Sequence, residues 1–188
     1  MLYIFNKEKL KYIKVTWKAV CTVILLALIL SSVISLIIWI SLHKQPKVYS
    51  EKEVMLIMSE YNEFSAEKLK YEIKKKNFKF PHIIYAQAVL ETGGFKSAVF
   101  RQNNNLFGMK QAKQRVNTAV ETQLNHAYYE NWRESLEDYG YYYCSYLNKI
   151  NTEEEYFNYL AQNYAESPQY VQRLKKIIDS LNLKKEFN

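Results

Sequence analysis

The residue best placed for chemistry is Glu91, which ends an apolar run and is followed by Thr92 and two glycines. The run, Ile83 to Leu90, reads IIYAQAVL, and Pro81 stands where a helix accepts proline in its first turn. A carboxylate at the C-terminus of a buried helix is desolvated and faces the negative end of the helix dipole, so its pKa rises. A carboxylic acid that stays protonated near neutral pH can protonate the leaving oxygen of a glycosidic bond. An exposed glutamate at a fraying helix end fits this single feature equally well.

The surrounding segment, Ala86 to Lys110, extends the pattern. It reads AQAVLETGGFKSAVFRQNNNLFGMK: a helix end A-Q-A-x-x-E-T-G, then a serine, then N-N-L-F-G-M-K. Two later segments follow, Tyr129 to Tyr139 (YENWRESLEDY) and Asn163 to Tyr170 (NYAESPQY). In this order and at compatible spacing, the segments resemble the glucosaminidase domain of glycoside hydrolase family 73, the flagellar and autolysin-type peptidoglycan hydrolases, which are similar to mannosyl-glycoprotein endo-β-N-acetylglucosaminidases.

The resemblance implies a lysozyme-like fold and cleavage of the β-1,4 bond between N-acetylglucosamine and N-acetylmuramic acid. It places the catalytic acid of the family on Glu91. The second acid of the family lies on a hairpin, and Glu121 is the candidate because no other acid lies between Glu91 and Glu130. The tyrosine that the family uses in its cleft could match three positions, Tyr129, Tyr139 and Tyr164. We rank the last of these first as the third catalytic residue.

The same segments supply the residues expected to bind substrate: Asn104, Asn105, Phe107, Tyr129 and Tyr139. For the two asparagines, fixing the loop by side-chain to backbone hydrogen bonds is the stronger alternative, and Phe107 could equally be a core residue. His82 and His126 have no metal-ligand partner at a suitable spacing, and Cys144 has no histidine base beside it. We therefore expect no metal, no other cofactor and no cysteine peptidase chemistry.

Hydrophobic periodicity predicts an α+β domain that is mostly helical, with one small hairpin. Helices are predicted over residues 51–64, 66–76, 81–91, 132–147 and 152–164, and from Ser167 and Pro168 onward. Ser65 is the predicted N-cap of the second helix, and Thr152 with Glu155 makes a capping box. The hairpin is predicted over Arg115 to Tyr129, where β-branched residues alternate with polar ones. The stretch from Gln111 to Glu130 is short for the family, so the hairpin lobe is expected to be reduced.

The segment Ala19 to Leu42 contains 24 residues without a charge, more than the roughly 20 that a transmembrane helix needs. No small-residue cleavage site follows it, and Cys21 lies too early for a lipoprotein site, so one retained span is predicted. Five lysines precede the span, which places the N-terminus in the cytoplasm and the rest of the chain outside it. The predicted organisation is a basic cytoplasmic tail 1–18, a transmembrane helix 19–42, a linker 43–50 and a glucosaminidase domain 51–188.

The net charge of +7 belongs mainly to the segments that flank the span. From Val48 onward there are 19 basic and 18 acidic residues, and such a neutral domain argues against nucleic acid. The expected partners are a peptidoglycan glycan strand and the cytoplasmic membrane, with the protein acting as a monomer.

Two other functions stay open. A lytic transglycosylase also uses one glutamate at a helix end of a lysozyme-like fold, but such enzymes usually continue into a G-L-M-Q type segment where this chain has NLFGMK. An inactive cell-wall-binding module could keep the same fold. An intact Glu91 counts against that second alternative.

Overall fold

The computed structural model describes residues 3–8, 10–14, 16–42, 47–164 and 167–187. The chain forms two compact units, Met1–Glu51 and Lys52–Asn188. Each unit has its own architecture.

The first unit contains a hairpin and one long helix. Strand β1 (Tyr3–Asn6) pairs antiparallel with strand β2 (Lys11–Lys14), and Phe5 lies opposite Tyr12 with 5.2 Å between the two ring centroids. Helix α1 (Trp17–Leu42) has 26 residues, none of them buried. At 1.5 Å per residue it is about 39 Å long, which exceeds the roughly 30 Å of a bilayer's hydrocarbon core. Helix α1 is therefore long and apolar enough to cross a membrane.

Two features of this unit differ from the sequence-based expectation. Helix α1 begins two residues before Ala19, because Thr16 accepts the N–H of Ala19 through its side chain, at 3.4 Å, and through its backbone carbonyl. The hairpin was not predicted, since each strand has only four residues and shows too little alternation to read. Residues 1, 2, 9 and 15 of the predicted tail, and 43–46 of the predicted linker, lie outside the described residues.

The second unit is helical around a small hairpin, so the predicted α+β, mostly helical class is confirmed. Its helices are α2 (Glu51–Asn62), α3 (Ala66–Lys75), α4 (Pro81–Glu91), α5 (Ala98–Asn103), α6 (Trp132–Tyr146), α7 (Glu153–Asn163), α8 (Tyr170–Ser180) and α9 (Leu183–Phe187). Strands β3 (Glu121–Gln123) and β4 (His126–Tyr128) lie between α5 and α6.

Helix α4 is the centre of the core. Its residues 82–88 are all buried, so the helix has no solvent-facing side over this length. Helices α3, α8 and α9 contact it, and α8 contributes Leu174 and Ile178 to the core while α3 contributes Leu69 and Ile73. Each fully buried aliphatic side chain of this kind stabilises the fold by about 1.5–3 kcal/mol. Because α4 is packed along its length, its last residue is held in a fixed position.

Local signals place most helix starts as the sequence predicts. The side chain of Ser65 caps α3, the capping box of Thr152 and Glu155 begins α7, and Pro81 is the first residue of α4. The last long helix, α8, begins later than predicted, at Tyr170.

The hairpin is shorter than the predicted one. Residues 111–120 form no strand, although the N–H of Val120 donates to the carbonyl of Tyr128 at 2.9 Å just before β3. Asn117 and Thr118 donate from their side chains to backbone carbonyls elsewhere in the unit. Such local bonds compete with strand pairing, which explains why the alternating pattern was misleading here.

Candidate active site

Glu91 ends α4 and borders an open cleft of about 880 Å³. The helix stops because Thr92 caps it: the Thr92 hydroxyl donates back to a carbonyl of α4 at 2.6 Å and accepts the N–H of Phe95 at 2.9 Å. Gly93 and Gly94 continue into a turn. The chain therefore leaves the helix axis at once, and the Glu91 carboxyl stays at the edge of the cleft.

A chain of buried hydrogen bonds leads from the core to this carboxyl. The hydroxyl of Tyr170 donates to Oε1 of Glu91 at 2.7 Å, and it accepts the side-chain amide of Gln87 at 3.3 Å. The amide oxygen of Gln87 accepts the hydroxyl of Tyr139 at 2.7 Å, and that hydroxyl lies 2.9 Å from the hydroxyl of Tyr156. Because each group in this chain is fixed by the next, the carboxyl has one preferred orientation.

The pKa of the Glu91 carboxyl is raised above its ordinary value. Burial is the main cause, since desolvation disfavours the charged form. The hydrogen bond from Tyr170 and the charges of Arg173 and His126 lower the pKa in turn, but they do not cancel the effect of burial. The carboxyl therefore keeps its proton to a higher pH than an exposed glutamate does.

Gly108 approaches the other oxygen of the carboxyl. Its φ is +62°, in the left-handed region that glycine adopts without strain. A Cβ at this position would lie 3.2 Å from Oε2 of Glu91. The glycine of the NNLFG segment is therefore required both by the turn of the loop and by the space that the carboxyl occupies.

The asparagines of the same segment hold the loop. Asn105 is 1% exposed; its amide donates to two backbone carbonyls, in the loop and on β4, at 2.9 Å each, and its oxygen accepts two loop N–H groups. The amide of Asn104 donates to the two carbonyls at 129 and 130. Neither residue is among those that line the cleft. These hydrogen bonds agree with the structural alternative, in which Asn104 and Asn105 fix the loop, and the predicted substrate contacts stay predictions.

Three aromatic residues with predicted sugar contacts belong to the core. Tyr129 and Tyr139 have no exposed surface; the first donates to Asp138 at 2.6 Å, and the second stacks on Phe107 with 4.1 Å between ring centroids. Phe107 borders the cleft but is only 1% exposed. Both rings pack within the core, so the structure gives no support to the sugar contacts predicted for Tyr129 and Tyr139. The sequence does not separate a core tyrosine from a cleft tyrosine, because the apolar ring also suits a core in which the hydroxyl finds a hydrogen-bond partner.

Tyr164, the predicted catalytic tyrosine, does line the cleft. Its hydroxyl donates to the backbone carbonyl of Phe107 at 2.6 Å, so its polar group serves the loop. Its ring lies 6.0 Å from that of Tyr170, which is the tyrosine in contact with Glu91.

Tyr170 is the residue in contact with Glu91 that the sequence reasoning missed. It lies in the NYAESPQY segment, but it was not among the candidates. A signal was available: Tyr170, Leu174 and Ile178 are spaced four residues apart and share the buried face of α8 that packs on α4.

Glu121 is exposed on β3, opposite Tyr128, and is not among the residues that line the cleft. The hairpin reaches the cleft through His126, whose Nδ1 lies 2.7 Å from the carbonyl oxygen of Leu124 and whose charge acts on Glu91. The structure therefore brings Glu91 and Tyr164 to one cleft but leaves Glu121 outside it.

Two kinds of surface line the rest of the cleft. Helices α6 and α7 contribute tyrosines: the hydroxyl of Tyr142 donates to Tyr159 at 3.2 Å, and its ring lies 5.1 Å from Tyr146 and 5.8 Å from Tyr164. The loop that follows Gly108 contributes two lysines. Partly exposed aromatic rings of this kind can pack against the apolar faces of sugar rings.

A desolvated carboxyl whose pKa is raised has the property that glycosidases need in their general acid. The chain belongs to the glucosaminidase family, described as mannosyl-glycoprotein endo-β-N-acetylglucosaminidase, which matches residues 67–183. The resemblance inferred from these sequence segments is thereby confirmed.

Among solved structures, the chain is similar to the catalytic domain of the autolysin Auto from Listeria monocytogenes. The two are 21% identical with a TM-score of 0.44, and the match covers 76% of this chain and 100% of that one. Comparison with curated proteins gives no match.

Proposed function

We propose that the protein is a membrane-anchored peptidoglycan hydrolase, an endo-β-N-acetylglucosaminidase that cleaves the β-1,4 bond between N-acetylglucosamine and N-acetylmuramic acid. The observation that carries the proposal is the state of Glu91: a desolvated carboxyl with a raised pKa that one tyrosine orients inside the cleft. Membership of the glucosaminidase family supports a glycoside hydrolase.

The hydrogen bond from Tyr170 determines which oxygen carries the proton. Oε1 of Glu91 accepts the Tyr170 hydroxyl, so it acts as the carbonyl oxygen of the neutral acid. The proton then belongs on Oε2, for which the described residues supply no hydrogen-bond partner and beside which Gly108 leaves room. Oε2 is thus the atom that protonates the leaving oxygen as the glycosidic bond breaks.

The second half of the reaction needs a group that steadies positive charge on the sugar or directs water. Glu121 is proposed for this role on the strength of the family resemblance, and Tyr164 as a residue of the same cleft. The alternative is assistance by the acetamido group of the substrate, which needs no second carboxylate near Glu91 and so accords with the exposed position of Glu121.

We further propose that α1 anchors the protein in the cytoplasmic membrane, with the basic N-terminal segment in the cytoplasm. The length and apolar composition of α1 support this, as do the four lysines that precede the helix and Lys18 in its first turn. The catalytic unit then lies on the wall side, where the anchor keeps the enzyme near its substrate.

The test is the chemistry of the product. Full-length protein in a non-ionic detergent is incubated with purified peptidoglycan, and the soluble fragments are analysed by mass spectrometry before and after borohydride reduction. Fragments with a reducing N-acetylglucosamine end, absent with Glu91→Gln, are expected. Anhydro-muramic ends would instead assign a lytic transglycosylase, and the absence of any fragment would leave a wall-binding module.

A further inference from the structure

The charges around Glu91 are unevenly distributed. Among the described residues that line its cleft, Glu91 is the only acid. Three of the other lining residues, Lys110, Lys113 and Arg115, are basic. The cleft therefore presents one buried carboxyl within a surface that otherwise carries positive charge.

Arg115 already forms an ion pair within the protein. Its guanidinium is paired with Asp138, which has no exposed surface and also accepts the hydroxyl of Tyr129 at 2.6 Å. A buried carboxylate of this kind needs its cation, since an unpaired charge in the interior is costly. Arg115 is therefore a structural cation that holds the loop beside α6, and it is not available to a ligand.

Lys110 and Lys113 differ from Arg115 in this respect. Both are exposed, and within the described part of the chain neither forms a hydrogen bond or an ion pair. Other lysines of this unit do find partners: Lys76 pairs with Glu137 and Lys184 with Glu153. The two cleft lysines are thus free to meet a charge that comes from outside.

The excess of positive charge at the cleft does not follow from the composition of the unit. From residue 48 onward the chain has 19 basic and 18 acidic residues, so a surface of average charge would be neutral. Exposed charges act over roughly 8 Å at physiological ionic strength, so two lysines beside the Glu91 cleft influence what occupies it. A neutral glycan gains nothing from them, whereas a glycan that carries carboxylates does.

We propose that Lys110 and Lys113 bind a carboxylate of the substrate, so that the enzyme prefers carboxylate-bearing glycan strands to neutral ones of the same sugars. The proposal rests on the proposed peptidoglycan hydrolase function and adds the groups that select the substrate. The family description names mannosyl-glycoproteins, whose mannose and N-acetylglucosamine units carry no charge. Every muramic acid unit, by contrast, bears a lactyl carboxylate or, through it, a peptide with its own carboxylates.

The experiment measures binding, so that it does not depend on turnover. Full-length Glu91→Gln in a non-ionic detergent is titrated into three fluorescently labelled glycan fragments of equal length. The first carries peptide stems, the second is peptide-free with its lactyl carboxylates exposed, and the third is the second with those carboxylates capped as methylamides. Each titration is repeated with three further variants made in the Glu91→Gln protein. The first combines Lys110→Gln with Lys113→Gln, and the second changes the same two lysines to Arg. The third is Lys176→Gln, at an exposed lysine of α8 outside the cleft lining.

We expect the double Gln variant to raise the Kd at least tenfold for carboxylate-bearing fragments and less than twofold for the capped fragment. The Arg changes should restore binding, Lys176→Gln should have no effect, and 0.5 M NaCl should remove most of the preference. A loss on the stem-bearing fragment alone identifies the peptide as the source of the carboxylate, and a loss on the uncapped peptide-free fragment identifies the lactyl group.

An equal loss on all three fragments, no loss on any, or no binding before the lysines are changed would overturn the proposal. Product analysis with wild-type protein reports separately on the hydrolase function, because it requires only that fragments with the stated ends appear. The two ideas can therefore fail independently.

Discussion

The Tyr170 hydroxyl donates to Oε1 of Glu91 across 2.7 Å, which joins the first residue of α8 to the last residue of α4. The hydrogen bond stabilises the charged form of Glu91, while burial stabilises the neutral form to a greater extent. The carboxyl is thus oriented by a bond that partly opposes the protonation state it needs. This balance makes the pH dependence of the enzyme a direct report on the site.

Glu91→Gln should reduce turnover by about 10²–10⁴-fold, because the amide keeps the size of the side chain but cannot donate a proton to the leaving oxygen. The pKa of the Glu91 carboxyl is higher in the folded protein than its ordinary value of 4.5. The folded state therefore loses stability relative to the unfolded state as the pH rises above that ordinary value. The variant should therefore melt at or above the wild-type temperature near pH 7 and at the same temperature below pH 4. Turnover is measured on peptidoglycan and melting by circular dichroism. A folded variant with wild-type turnover would remove Glu91 from the mechanism.

Tyr170→Phe should raise the pKa of Glu91 further, because it removes the bond that favours the charged form. The general acid works while protonated, so the alkaline limb of the kcat profile should move to higher pH as the maximal rate falls. Tyr164→Phe is the matched control: its hydroxyl serves the carbonyl of Phe107, so the position of the limb should stay unchanged. An alkaline limb that does not move in Tyr170→Phe would mean that Tyr170 does not act through the pKa of Glu91.

Gly108→Ala should lower both stability and turnover. Alanine at a φ of +62° costs about 1–2 kcal/mol, and its Cβ would press on Oε2 of Glu91 at 3.2 Å. Gly140→Ala on α6 is the control, since no heavy atom lies within 4 Å of a Cβ there and alanine favours a helix by about 1 kcal/mol over glycine. Urea denaturation and turnover on peptidoglycan measure the two effects. Wild-type turnover in Gly108→Ala would show that the carboxyl does not need this space.

Glu121→Gln should slow turnover at least tenfold, a loss of about 1.4 kcal/mol in the barrier, if this acid directs water or steadies charge. Its exposed position on β3 predicts no accompanying loss of stability. Glu130→Gln, an exposed acid near the start of α6, is the control. An unchanged rate in Glu121→Gln would assign the second half of the reaction to the acetamido group of the substrate.

The parts of the fold that the sequence predicted are those fixed by local rules. A buried apolar helix with proline at its start leads to Glu91, and the caps at Ser65 and Thr152 follow from contacts within four residues. Helix caps and hydrophobic patterns can be predicted from the sequence because the interacting residues are close together in the chain.

The parts that the sequence did not predict depend on residues far apart in the chain. Tyr170 meets Glu91 across 79 positions, and only the packing of α8 on α4 selects it over the other tyrosines. The buried position of Tyr139 was not predictable for the same reason: its hydroxyl donates to Gln87, 52 positions away, inside the core. Seventeen tyrosines offer the same ring and hydroxyl, so residue type alone cannot separate those of the core from those of the cleft.

The hydrogen-bond chain from Tyr156 to Glu91 links buried residues of the core to the proposed catalytic acid. Tyr156 lies on α7 and has no exposed surface, yet it is three hydrogen bonds from the hydroxyl that touches the acid. Substitutions that repack this core to raise thermal stability should therefore also change the pH dependence of activity. Selection for one of these two properties should change the other.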